Sequence, residues 1–170
     1  MNLHEERIKI FENNLTKLFN GYKIYMSAKP YETEKSDEEK IPFAIESGSS
    51  MILCTYNYSI PKNPLKNAMR KYAFDVNKEE VIALSDSSFL NNGKMGCLFA
   101  DDRFYYTMPF VKPQKVYYAD IEKIELTGRS ADIVLKDGSV VPFVNSSIKC
   151  KGLQKFIKEI NEFNATINKD

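Results

Sequence analysis

Gly96-Cys97-Leu98-Phe99-Ala100-Asp101-Asp102-Arg103-Phe104-Tyr105-Tyr106-Thr107 reads as a β-hairpin: two apolar runs flank the three polar residues of a tight turn. It sits inside a longer stretch, Glu79 to Phe163, in which short alternating segments give way to one amphipathic helix. Upstream, Val81-Ile82-Ala83-Leu84 is a compact apolar strand, followed by the polar loop Ser85 to Lys94, where Asn92-Gly93 suits a positive φ. Downstream, Lys115–Tyr118 and Lys123–Leu126 are two further strands. Asp137-Gly138 then joins Ala131–Lys136 to Ser139–Val144, a strong short-range hairpin signal. Pro142 cannot donate to a ladder, which predicts an edge or a bulge for that last strand. Between Ile148 and Asn164 the apolar residues Leu153, Phe156, Ile157, Ile160 and Phe163 fall on one helical face. The expectation is an α+β fold.

Toward the N-terminus, Leu3, Ile8, Phe11, Leu15 and Leu18 predict a helix over 3–19, which Asn20-Gly21 would end. Tyr22–Met26 and Met51–Tyr56 read as strands. Between them lies an acidic loop, 32–40, with Pro42 beside it. Ile60-Pro61-Lys62-Asn63-Pro64 is the clearest punctuation. Asn63 would cap a short helix from Pro64 to about Phe74. The chain therefore divides into an α+β extension, residues 1–62, and a second unit, residues 63–167, with a tail to residue 170.

With 43% apolar and 28% charged residues, the composition is that of a globular protein. Lys and Arg number 24 against 23 Asp and Glu, so the basic excess of a nucleic-acid binder is missing. The first residues lack the pattern of a signal peptide, and no segment has the apolar length of a membrane span. Three cysteines, Cys54, Cys97 and Cys150, are odd in number and widely spaced, which suits reduced, buried thiols in the cytoplasm.

Glu80–Asp86 with Phe89, Lys94–Asp101 leading into Phe104-Tyr105-Tyr106, Tyr118–Glu125 and the terminal Leu153–Phe163 helix together resemble a bacterial pleckstrin-homology-like domain of the GRAM-related kind. The resemblance spans roughly residues 64–165. It implies a partly open antiparallel β-barrel of about seven strands, capped by a C-terminal helix. It also implies a non-catalytic module that binds proteins or lipid headgroups. Phosphoinositide-binding relatives of that superfamily concentrate Lys and Arg in the loop between the first two strands. Here that loop offers only Lys94 and contains Asp86, so a multidentate phosphate clamp is missing and a protein partner is favoured.

Chemistry has little to stand on. His4 is the single histidine and reads as an exposed residue of a first helical turn. Asp101-Asp102 read as turn formers. No cofactor or metal is expected. Two binding surfaces are expected instead. One mixes aromatic and cationic residues, Phe110, Lys112, Lys115, Tyr117 and Tyr118. The other is the acidic loop with Glu32, Glu34, Asp37, Glu38 and Glu39, suited to steering a basic partner. The function expected is a cytoplasmic protein–protein interaction module. Its specific form would be an immunity protein neutralising a cognate toxin. The alternative is a peripheral membrane adaptor holding anionic headgroups through Lys94, Lys112 and Lys115.

Overall fold

A computed structural model describes residues 2–18, 23–26, 40–47, 50–57, 60–90, 92–127, 130–144 and 148–167. In chain order these residues form α1 (Leu3–Leu18), β1 (Lys23–Met26), β2 (Lys40–Ser47), β3 (Ser50–Asn57) and α2 (Lys62–Lys71). Seven strands follow: β4 (Val81–Asp86), β5 (Gly96–Ala100), β6 (Arg103–Thr107), β7 (Gln114–Tyr117), β8 (Ile121–Thr127), β9 (Ser130–Leu135) and β10 (Val140–Phe143). The last element is α3 (Cys150–Ile167).

Strands β4 to β7 form an antiparallel meander in a larger sheet of order β2-β3-β1-β4-β5-β6-β7, where β1 runs antiparallel to β4 and parallel to β3. Strands β8, β9 and β10 form a separate antiparallel sheet with β9 in the middle. No ladder joins the two sheets among the described residues, so the expected barrel is not closed. The architecture is α+β with two sheets and a C-terminal helix.

Three local readings change. The helix over 62–71 starts before Asn63, with Pro61 in the capping position and Leu65 N–H donating to its carbonyl at 3.1 Å. Pro64 then falls within the first turn, where no intrahelical partner awaits its missing N–H. Pro42 lies inside β2 and not in a loop, tolerable because β2 is an edge strand. The Asp137-Gly138 turn is a three-residue loop, with Leu135 N–H bonded to Ser139 O at 2.9 Å and Gly138 at φ 85°. Pro142 does lie at a sheet edge, on β10.

Every residue of β4, β5 and β6 is buried, because both faces of these central strands are covered. On one face Leu65 and Ala68 of α2, with Tyr72 just after it, pack on Val81, Leu84, Leu98 and Tyr105. On the other, Ile82, Phe99, Phe104 and Tyr106 meet the small sheet through Ile124, Ile133 and Phe143, and α3 through Leu153, Phe156 and Ile160. Ile8, Phe11 and Leu18 of α1 belong to this same cluster. Phe11 touches Phe99 at 5.0 Å and Phe156 at 5.3 Å between ring centroids, so the N-terminal helix shares the core of the strands that follow. Gly152 allows α1 and α3 to cross closely: a Cβ there would lie 1.9 Å from the carbonyl oxygen of Lys17.

Candidate binding surface

The register pairs Asp86 with Gly96 and Gly96 with Thr107. The β4–β5 loop and the β6–β7 loop therefore leave the large sheet from one end. The β5–β6 turn lies at the other.

At the loop end, the buried carboxylate of Asp86 organises the first loop. Its Oδ1 accepts from Ser88 N–H at 2.9 Å and from the Ser88 hydroxyl at 2.5 Å, and its Oδ2 accepts from Gly93 N–H at 3.0 Å. Ser88 Oγ accepts in turn from Asn92 N–H at 2.9 Å, and Asn67 of α2 donates to Asn92 O at 2.7 Å. Gly93 is left-handed at φ 72° and pressed on Pro64, whose oxygen would lie 2.1 Å from an added Cβ. A loop fixed this firmly still holds Phe89 at 94% and Leu90 at 73% exposure. The backbone N–H groups of Ser88, Asn92 and Gly93 are satisfied within, while Phe89 and Leu90 stand exposed.

The second loop behaves similarly. Val111 N–H closes a turn on Met108 O at 3.1 Å, and Thr107 Oγ1 donates to Val111 O at 3.3 Å. Pro109 occupies the second position of this turn, and Phe110 the third, at φ 64°. That third position belongs to Gly or Asn in turns with Pro ahead of it. A phenylalanine there is strained, and its ring is fully exposed.

The opposite end is polar and closed. Arg103 Nε donates to Tyr105 Oη at 2.5 Å and Nη2 to Glu80 at 2.8 Å, while Nη1 pairs with Asp102. Burial works against the Arg103 charge, but Tyr105 and Asp102 outweigh it and hold the guanidinium above its usual range. Tyr105 donates to Asp75 at 2.7 Å, and Lys115 donates to the other Asp75 oxygen at 2.8 Å. The Lys115 ammonium, helped by the Tyr105 hydroxyl, holds Asp75 below the ordinary carboxylate range. His4 is not a free surface residue: its Nδ1 lies 2.7 Å from Asp101 Oδ1, pinning α1 to the β5–β6 turn. Arg7 joins them, donating to Asp101 at 3.3 Å and to Asn164 of α3 at 2.9 Å, with its guanidinium over Phe163. Asp101 thus does more than form a turn. It ties three elements together.

Compared with known proteins, the chain matches no family model, and no curated protein or solved structure is significantly similar to it. The surface must be read from its own side chains.

The five residues expected to share an aromatic–cationic face separate. Phe110 and Lys112 stand exposed at the loop end. Lys115 is paired with Asp75, and Tyr117 lies toward the polar end, its ring between Lys115 at 5.3 Å and Arg103 at 5.9 Å. Tyr118 is no surface residue. It is fully buried, stacks near Phe104, meets Phe156 edge-on and donates to Ala100 O at 3.0 Å. On β7 Val116 faces inward and Tyr117 outward, and Tyr118, which opens the 3-10 turn Tyr118–Asp120 beyond the strand, turns back into the core. Glu32, Glu34, Asp37, Glu38 and Glu39 lie outside the described residues.

Phe89 and Leu90 were not expected in a surface. An apolar pair between Ser87-Ser88 and Asn91-Asn92-Gly93, where a loop needs only polar residues, was the available signal. Cys97 is buried and Cys150 half-buried, and burial pushes both thiols up, away from the reactive thiolate. Among the described residues no group of three His, Cys, Asp or Glu is placed to hold a metal, and no helix is long and apolar enough to cross a membrane.

Proposed function

We propose that this chain is a non-catalytic docking module of PH-like architecture that binds another protein at the loop end of its large sheet. The order of β4 to β10, a four-stranded meander, a three-stranded meander and then a helix, supports the PH-like reading. The observation that carries the docking reading is Phe89, Leu90 and Phe110 held out of the core on loops anchored by Asp86 and by the Met108–Val111 turn. Pre-fixed loops lose little conformational freedom on binding, and aromatic side chains are the usual anchors of interfaces. Unbonded Cys97 and Cys150 suit a cytoplasmic setting. Neutralisation of a toxin is the specific form of this reading, with a tight one-to-one complex as its mark.

The test is quantitative co-purification from the source cells with the chain as bait. The native sequence retains a protein in fixed ratio, and the double substitution Phe89→Ser with Phe110→Ser loses it while melting normally. Equal recovery by the variant overturns the loop end as the docking surface.

A further inference from the structure

Charge is evenly balanced in the whole chain and unevenly placed in space. Residues 60–74, 87–99 and 104–117 contain no Asp or Glu. The first two segments include α2 and the β4–β5 loop, which touch through Asn67, Asn92, Pro64 and Gly93. The third contains the β6–β7 loop at the same end of the sheet. Together they expose Lys62, Lys66, Arg70 and Lys71 of α2 with Lys94 and Lys112 of the loops. None of the six has an ion-pair partner among the described residues, whereas Lys115, Arg103, Arg7 and Lys155 each do.

The placement is directional. Lys62, Lys66 and Arg70 are spaced four residues apart, opposite the buried Leu65, Ala68 and Tyr72. They make a stripe roughly 12 Å long at 1.5 Å per residue. It starts beside Gly93 at the loop end and runs back along the flank, because the chain after α2 reaches Arg103 through Asp75 at the polar end. Apolar anchors thus stand on the tip, with cations descending one side.

We infer that the partner seated on this surface is a protein with an acidic face, which lays carboxylates along α2 and receives Phe89, Leu90 and Phe110 in an apolar recess. The inference rests on the docking reading above and names the chemistry of that partner. Complementary charge steers encounter and fixes orientation, and the anchors hold the complex. A bilayer is a poorer fit: a plane that meets the tip cannot also meet a stripe running back along the flank. Single-stranded nucleic acid tracks a basic groove, and α2 offers a convex helix face.

The experiment titrates the full chain with a short peptide alternating glutamate and leucine, with phosphatidylserine vesicles and with oligothymidylate, at low and moderate salt. The expected result is peptide binding that weakens with salt and perturbs the backbone resonances of α2 and both loops. Combined Lys62→Glu, Lys66→Glu and Arg70→Glu should weaken it by about tenfold or more. Peptide binding unchanged in that variant overturns the acidic partner. If Phe89→Ser with Phe110→Ser then loses binding, the docking reading survives without it. The converse pattern, loss with charge reversal and none with the serine pair, keeps the acidic partner and removes the apolar anchors. Preferential binding of vesicles or of oligothymidylate overturns the inference in favour of a membrane or a nucleic acid.

Discussion

The core face of the large sheet and its loop end use aromatic residues in opposite ways. Beneath the sheet, Phe11, Phe99, Phe104, Tyr118 and Phe156 lock together at centroid distances of 5.0 to 6.0 Å, joining α1, the β5–β6 hairpin and α3. Nearby, at the polar end, Asp101, Arg7, His4 and Asn164 satisfy one another. At the loop end Phe89 and Phe110 touch solvent, though hydrogen bonds anchor the chain beside each of them, at Ser88 and at the Met108–Val111 turn. Order and burial come apart there. A loop that keeps its apolar side chains wet gains no stability from them, and that is the contrast on which the proposed docking role rests.

Removing the same ring in each place gives the largest contrast. Phe156→Ala should cost about 3–5 kcal/mol, since it empties the junction of three other rings. Phe89→Ala should change stability by no more than about 0.5 kcal/mol. Chemical denaturation of both variants measures the difference, and comparable losses would mean that Phe89 has an unrecognised packing role.

Asp86 tests whether the loop is fixed or merely folded. Asp86→Ala leaves the N–H groups of Ser88 and Gly93 without their acceptor in a buried setting, which should cost about 1–3 kcal/mol. Hydrogen exchange should quicken across residues 87–95 more than in the β5–β6 turn. Uniform acceleration would show that the carboxylate supports the whole sheet.

Phe110 is expected to shift stability the other way. Phe110→Gly relieves a left-handed phenylalanine worth about 1–2 kcal/mol of strain, partly offset by about 0.5–1 kcal/mol from the freer unfolded chain. The melting temperature should hold or rise while partner recovery falls. A drop in melting temperature would place the exposed ring among stabilising contacts.

Much of this was legible because its signals are local. Asp137-Gly138, Pro142 and the spacing of Leu153, Phe156, Ile157 and Ile160 mark strand ends, a sheet edge and a buried helix face without reference to the rest of the chain. What escaped was set by distant partners. His4 meets Asp101 across 97 residues, so no spacing rule could pair them. The uninterrupted burial of β4, β5 and β6 depends on α2 covering their outer face, and a strand cannot announce what will lie on it. The aromatic–cationic surface failed at Tyr118 for a different reason. Composition grouped neighbours that the end of β7 separates, Tyr117 outward on the strand and Tyr118 inward on the 3-10 turn after it.

Acid should loosen the polar end, and its effect is the smallest. Three carboxylates there and on the α1–α3 seam titrate low in the folded protein. Asp75 is held down by Lys115 and Tyr105. Glu80 is held down despite its burial by Asn77 and Arg103. Glu159 is held down chiefly by the amide of Asn14, 2.5 Å away. A carboxylate whose folded pKa is depressed contributes its full stabilisation above its unfolded value, about 4, and loses it as pH falls through the folded value. Stability should therefore be flat near neutrality and decline below about pH 4. Asp75 and Lys115 are half exposed, so solvent screening keeps the contribution of that pair small. Asp75→Asn should make the acid limb shallower, because the group that must be protonated is already neutral. A limb parallel to that of the native chain would move the acid sensitivity elsewhere, to Glu159 and the helix seam first.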